Sequence, residues 1–358
     1  MVLVFLLPIV LLASAQGSQQ QQLIQHTSAD DFSNPKAMHL AEVKGDAVFL
    51  SPRKGEDAIF LSRTLKPTNS FDAVLASWNV KCPQGAGFSV EIRVSATGSS
   101  EWSPFLYVGD WGAMMPRPGR VKKCSSGVID VDWFRGKNPC DRIQYRVKAK
   151  TNKKGRSLRI SRMTLCLSLG IANPTDSAQT SKLAPKSWKR RLKVPYRSQK
   201  WEDKQISYRI CSPTSVTMLM AYRGVKKPTE VVAHRCYDET HEIYGNWTRA
   251  IQGAFSFGVP GYLTRFSDWE DVRAMIAQGQ PLIISIAAQK GQLTGAPYSM
   301  TEGHLLVLCG FDKNGNVEVN DPAAKNARAG QTTYLRKELE EVWMKRGGTT
   351  YVILSRGR

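Results

Sequence analysis

Residues 205–224 read QISYRICSPTSVTMLMAYRG. Pro213 falls in the first turn of a helix that opens at Cys211, and Gly224 ends it. The first N–H groups of a helix have no partner inside it, and together with the macrodipole they favour an anion at that end. A thiol placed there is drawn below its ordinary value near ~8.5, toward the range in which cysteine is a nucleophile. Working forward, residues 228–238 (PTEVVAHRCYD) form a helix with Thr229 as cap, and 246–258 (NWTRAIQGAFSFG) one capped by Asn246. Residues 267–279 (SDWEDVRAMIAQG) form another, with Ser267 and Glu270 as capping box. A buried strand follows at PLIISI (281–286), then two strands about an Asn314-Gly315 turn in GHLLVLCGFDKNGNVEVNDP (303–322). A helix at 335–348 and a strand at 349–354 close the chain. Helices first and an antiparallel sheet after them predict an α+β domain over 191–358.

Working backward, the pattern changes. In FSVEIRV, Phe88, Val90, Ile92 and Val94 share one face, and RIQYRV (142–147) and GVIDVDW (127–133) repeat the alternation. Period two with Gly/Pro-rich turns between runs predicts half-buried antiparallel strands, an all-β sandwich over 37–170. Residues 171–190, rich in Pro, Ser, Thr and Lys without periodicity, read as a linker. Residues 16–36 read as a Gln-rich flexible arm. Residues 1–15 end in Ala13-Ser14-Ala15 after an apolar run and read as a signal peptide cleaved after Ala15, which places the mature chain outside the cytoplasm, secreted or periplasmic. No later stretch is long enough to span a bilayer. The 358 residues carry 50 Lys and Arg against 30 Asp and Glu, a net charge of +20. The basic residues are scattered, so the charge reads first as solubility, with docking to a glycan or polyanion as the functional alternative.

There are seven cysteines: Cys82, Cys124, Cys140, Cys166, Cys211, Cys236 and Cys309. For an exported chain the odd number predicts three bridges and one free thiol, with Cys236 paired to Cys309 and Cys211 left free. Cys82, Cys124, Cys140 and Cys166 admit three connectivities. A nucleophilic cysteine needs a base and a group that orients the base. His304 opens the strand GHLLVLCGF and Asp321 closes the next one. With an ideal two-residue turn Asp321 falls opposite Leu308, on the face of His304 but roughly 13 Å along the strand at ~3.3 Å per residue, so a bulge or strong twist has to bring the two together. Alone, His304 also fits a satisfied core histidine, Asp321 a turn former before Pro322, and Gln199 a surface residue. His234, Cys236, Asp238 and His241 (HRCYDETH) crowd metal-ligand types together, yet match no zinc spacing. No metal or other cofactor is expected. Asn246 sits in an NWT sequon but equally in a helix cap. Trp102, Tyr107 and Trp111 in EWSPFLYVGDWG suit either a sandwich core or a sugar-stacking surface.

VPYRSQ (194–199), CSPTSVTMLMAYRG and GHLLVLCGFDKNGNVEVNDPAA together resemble the C39-like cysteine peptidases, a branch of the papain-like fold, over about Val194–Leu354. The resemblance implies Cys211 as nucleophile, His304 as base and later acid, and Asp321 as the residue that fixes the imidazole. It implies an oxyanion hole formed by the Gln199 side chain and the Cys211 backbone N–H. Ser212 stands where the family often has Gly, a change that leaves the backbone N–H in place. The strands of the first half are similar to the region preceding this domain in exported relatives, which implies an accessory sandwich. The implied activity is hydrolysis of an amide in a peptide or protein, cell-wall peptide included, through a Cys-His-Asp triad and a thioester. Acyl transfer by the same triad and an inactive, surface-binding relative are the alternatives.

Overall fold

The structure is a computed structural model, and it describes residues 21–113, 121–153, 155–171, 173–176 and 183–356. The leader at 1–15 and the start of the Gln-rich arm lie outside the described residues. The rest of the arm is not free chain. Gln21–His26 is a strand paired antiparallel with Met163–Ser168, and a one-turn helix capped by Ser28 follows. His26 is buried and bonds the Tyr145 hydroxyl at 2.7 Å, which anchors the strand.

Up to Ser168, twelve strands among the described residues form one hydrogen-bonded sheet. Two separate sheets are the expectation from sequence. The 19-residue strand Trp133–Thr151 joins them instead: its first part pairs with Phe71–Lys81, the rest with Ala86–Ala96 and Ala58–Leu61. Register shifts on either side of Cys140 let one strand turn from one group of neighbours to the other. The inward alternation read from sequence holds, with Phe88, Val90, Ile92, Val94, Ile143, Tyr145 and Val147 all buried.

The strand Phe71–Lys81 is buried on both faces. Val74, Ala76, Trp78 and Val80 face the first core, and Leu75 joins the core of the second half. Its second face is covered by the helix Trp247–Ser256 and the strand Gly261–Arg265, which meet the polar side chains on it. Asn79 exchanges two hydrogen bonds with Gly261, Gln252 bonds both the N–H and the C=O of Val80, and Leu263 N–H donates to Ser77 Oγ. Each amide side chain thereby supplies the partners a buried backbone requires. Trp111 and Tyr107 belong to this junction: both are buried, at 4% and 6% exposed, and Arg235 and Arg249 of the second half lie 5.0 Å from the Trp111 ring. Neither is open to a sugar.

Asp132, from the first half, accepts the Trp247 and Thr248 N–H groups at the start of a helix in the second half, at 2.5 and 3.3 Å. Burial pushes its carboxyl up to about 7 against those two donors, with the Asp238 charge adding to the rise. A raised carboxyl favours folding in its neutral form. That contribution is complete below the ordinary value of 3.8 and is lost as pH rises through about 7. Asp132→Asn keeps an acceptor and removes the titration. Its stability relative to wild type is expected to improve between pH 4 and 8, by on the order of 4 kcal/mol at most. A stability difference that stays flat across that range in denaturant titrations would show that Asp132 does not titrate there.

In the second half six strands run in the order 261–265, 349–353, 282–288, 301–311, 317–320 and 331–334, all antiparallel. The helix Cys211–Tyr222 packs on the strand Thr301–Phe311. The helix caps differ from the sequence reading at two places: Asp268, not Ser267, caps the helix Trp269–Ala277, and Thr229 is the first helical residue after Pro228. The end of the expected linker is ordered, with Pro185–Trp188 helical and Trp188 buried. No helix among the described residues is long and apolar enough to cross a membrane.

Candidate active site

The cysteine helix is buried almost all round, and its small polar residues are what permit that. Thr214 and Thr217 turn their hydroxyls back onto the carbonyls of Ile210 and Pro213, while Ser215 donates to Leu305 O at 3.1 Å and Ser212 meets the Tyr351 hydroxyl at 3.1 Å. The Ser215 bond ties the helix, one turn after Cys211, to the residue beside His304. Cys211 itself stays partly exposed.

His304 and Asp321 meet. His304 Nε2 lies 2.8 Å from Asp321 Oδ1, with the two residues 5% and 0% exposed. The gap predicted from an ideal hairpin closes in two steps. The turn over 312–316 is closed by Asp312, whose carboxylate accepts the Asn314 and Asn316 N–H groups, and pairs Phe311 with Val317. A register shift between Leu308 and Gly310 then leaves Asn320 opposite Val307. Asp321 therefore arrives two residues nearer to His304 than the ideal turn allows. The bulge is held from outside: Leu192 N–H donates to Cys309 O, and Phe311 N–H to Arg190 O. Gly310 is required there, because a Cβ would sit 1.8 Å from the Arg190 carbonyl oxygen.

The electrostatics of the three side chains favour a thiolate facing an imidazolium. Burial pushes the Cys211 thiol up, but hydrogen bonding and charge from His304, with N–H groups of Leu305 and Ser212, bring it below its usual value. Burial disfavours a charged His304, yet Asp321 outweighs it and raises the imidazole to about 10. Asp321 is held below the ordinary carboxylate range, chiefly by His304 against the cost of burial. With Nε2 engaged by Asp321, Nδ1 is the ring nitrogen left for Cys211.

Two residues that sequence reading passed over complete the arrangement. The hydroxyls of Tyr334 and Tyr298 donate to Asp321 Oδ2 at 2.8 and 3.2 Å, and the Tyr298 ring stands edge-on to His304 with centroids 4.9 Å apart. Burial and the Asp321 charge raise both phenols far above their usual value, so they remain donors. Neither tyrosine carries a sequence signal of its own, lying in a loop and a short edge strand. Their number is explained by Asp321: a fully buried carboxylate needs every lone pair met, and Ala323 N–H and His304 serve the other oxygen.

The segment VPYRSQ runs along the loop after Asp321. Asn320 Nδ2 donates to Val194 O, the Tyr196 hydroxyl to Asp321 O, Gln199 N–H to Pro322 O and Trp201 Nε1 to Lys325 O, all within 2.9–3.1 Å. Gln199 is buried; its Nε2 donates to Ser207 O at 2.7 Å, and its Oε1 has no partner among the described residues. One amide hydrogen of Nε2 is left over.

All seven cysteines are free thiols, which overturns the expected bridges. Cys236 lies against Gly253 on the neighbouring helix, while Cys309 donates to Val307 O within the bulge beside Arg191. Burial drives both, with Cys82 and Cys140, up to about 12. HRCYDETH does not gather into a cluster: His234 is exposed next to Glu230, and Asp238 binds His241 at 2.8 Å, with Lys122 on the other ring nitrogen. No group of three His, Cys, Asp or Glu among the described residues is placed to hold a metal.

Residues 191–351 match the family model described as the Peptidase_C39 like family, and residues 18–168 the one described as the Peptidase C39 N-terminal domain. None of the curated proteins matches the chain. Among solved structures, the peptidase domain of Streptococcus ComA, a bi-functional ABC transporter involved in quorum sensing, is similar at 13% identity over 41% of this chain and 93% of that one, TM-score 0.31. A family 29 carbohydrate binding module is similar at 14% identity over 42% of this chain and 91% of that one, TM-score 0.21. The C-terminal module, of family 6, of LamC from Zobellia galactanivorans is similar at 11% identity over 41% of this chain and 100% of that one, TM-score 0.22.

Proposed function

The chain belongs over residues 191–351 to the peptidase C39-like family and carries the peptidase C39 N-terminal domain over 18–168, and from that premise we propose that it is a secreted cysteine peptidase of papain-like fold, docked behind an accessory β-sandwich. The observation that carries the reading is the line from a partly exposed Cys211 at a helix start, through His304, to a buried Asp321 at 2.8 Å.

The thiolate of Cys211 attacks the carbonyl carbon of a peptide bond. Negative charge moves to the carbonyl oxygen, where the Cys211 backbone N–H and the remaining Gln199 amide hydrogen receive it. His304 gives its Nδ1 proton to the leaving nitrogen, the C–N bond breaks, and a thioester remains on Cys211. Neutral His304 then takes a proton from water, hydroxide adds to the thioester, and collapse releases the acid and restores the ion pair. Asp321 keeps the imidazole in register through both transfers.

The test is release of peptide fragments by the purified chain from a mixed peptide pool, followed by mass spectrometry, with iodoacetamide-treated protein as the blank. In the same assay Gln199→Ala is expected to lower kcat about 10²–10³-fold while leaving the rate of Cys211 alkylation unchanged. Fragments that form equally after alkylation would sink the peptidase reading. Full turnover in the Gln199 variant would remove only that residue from the mechanism.

A further inference from the structure

A small cavity opens where the first half meets the second. Gln21 and Ser168, the paired ends of two strands of the first half, line one side of it, and Arg265, Phe266, Met344 and Gly347 of the second half line the other. Its volume is about 20 Å³, enough for one or two atoms the size of a water oxygen. The Gln21 amide donates to Arg265 O at 2.8 Å, so the strand end is pinned beside the cavity.

Arg265 brings a charge to this wall. The residue is 8% exposed, and its guanidinium lies 5.3 Å from the Trp133 ring. It makes one hydrogen bond among the described residues, from Nη1 to Gly347 O at 2.7 Å. Gly347 permits that approach: its φ is +94°, and a Cβ on it would lie 2.3 Å from Nη1. The Nε of Arg265 is buried without a partner among the described residues, and so is the hydroxyl of Ser168, itself 5% exposed. A guanidinium carries five N–H donors, so most of this one is uncommitted. Nor does Arg265 form an ion pair among the described residues. Burial pulls its guanidinium below the usual value, while Cys166 and the charge of Asp72 oppose the shift, and Asp72 gives its Oδ1 to the Gly170 N–H at 2.9 Å.

We propose that this cavity binds a small monovalent inorganic anion of the size of chloride, held by uncommitted N–H groups of Arg265 and by the Ser168 hydroxyl. The groups that lack partners are donors, or in the hydroxyl can act as one, and they stand with a full positive charge in a buried wall. A water molecule would meet the hydrogen bonds and leave the charge unopposed; an anion meets both. Phe266 and Met344 are buried and apolar, and they line the same cavity. Such walls suit a weakly hydrated monovalent ion, whereas one cation among them cannot offset the dehydration of a dianion such as sulfate. The volume excludes an organic ligand. Bound there, the ion links Ser168 of the first half to Arg265 of the second, and so strengthens the junction between them. The inference stands apart from the chemistry at Cys211.

The test follows the chloride NMR line width and the Tm of the full chain as chloride replaces gluconate, an anion too large for the cavity. Ionic strength is held at about 0.1 M, so that screening does not change. A broadening that saturates, and a rise in Tm that follows the same binding curve, are expected. Ser168→Ala removes one hydrogen bond to a charged group and is expected to weaken the midpoint about tenfold, with the rate of Cys211 alkylation unchanged. Arg265→Gln is expected to remove the saturable component altogether. Ser168→Ala deletes a hydroxyl that has no partner, so it should fold as the wild type does, and it decides alone where Arg265→Gln does not fold. The proposal is overturned by broadening and Tm that never saturate, as for counter-ions loosely held by a net charge of +20. It is equally overturned by a wild-type midpoint in Ser168→Ala, or by a saturable component that survives Arg265→Gln.

Discussion

Cys211→Ala is expected to lower amide hydrolysis by about 10⁴-fold or more, to the background left by binding and oxyanion contacts alone. The proposed nucleophile is set apart from the thiols of Cys82, Cys140, Cys236 and Cys309, which are pushed up to about 12 by burial. The same contrast predicts alkylation. In the wild type, iodoacetamide should mark Cys211 first and fastest, and the rate should hold as pH falls below the ordinary thiol range, from which this thiol is lowered by His304 and the N–H groups of Leu305 and Ser212. An ordinary thiol loses about tenfold in thiolate for each unit of pH below its own value. Peptide mapping after a short pulse at pH 6 and pH 8 reads the result. Label spread over several cysteines, or turnover that persists in Cys211→Ala, would dispose of the ion-pair nucleophile.

Asp321 is the second position where a single change should act strongly, and on two properties at once. It is buried, negative, and met by His304, Tyr298, Tyr334 and the Ala323 N–H. Asp321→Ala strands an imidazole and two phenols in a dry site. Breaking a buried pair in this way costs roughly 3–5 kcal/mol, or about 10 °C in Tm for a domain of this size. Asp321→Asn keeps the shape and most of the hydrogen bonding, so its Tm should fall less, while kcat should still drop about 10²–10⁴-fold as the imidazolium loses its counter-charge.

The pH profile separates these effects. A raised histidine contributes stability that is complete below 6.5 and fades as pH climbs through about 10. Asp321 is lowered, so its own contribution is present above 3.8 and is lost as pH falls through its folded value. In Asp321→Asn the alkaline limb of kcat/KM should move from near 10 down toward 6.5. An alkaline limb that does not move would mean that Asp321 does not set the protonation of His304.

Much of this was legible in the chain. The placement of a cysteine at a helix start follows from Pro213 and Gly224, because caps and turns depend on neighbours a few residues away. The strand alternation around Phe88–Val94 and Ile143–Val147 shows which face is inside, since side-chain direction has period two. The order of Gln199, Cys211, His304 and Asp321 carried the resemblance to the family. Residues 21–32 misled, because polar glutamines can occupy an edge strand once a sheet is there to pair with. The cysteine count misled as well: parity bounds how many thiols can pair, but says nothing of what each sulfur faces.

What tertiary structure alone decided is the closure of the site. Of the two-residue slip that brings Asp321 to His304, one residue comes from the turn over 312–316 and the other from the bulge at Cys309, and the bulge depends on Arg190 and Leu192 lying against it. Tyr298 and Tyr334 reach Asp321 from segments on either side of it, and Asp132 caps a helix 115 residues away. Nothing within a strand or helix specifies such partners. Local pattern determines which way a side chain points, whereas a buried charge is satisfied by whichever distant backbone or hydroxyl the packing delivers, and that is settled only when the layers meet.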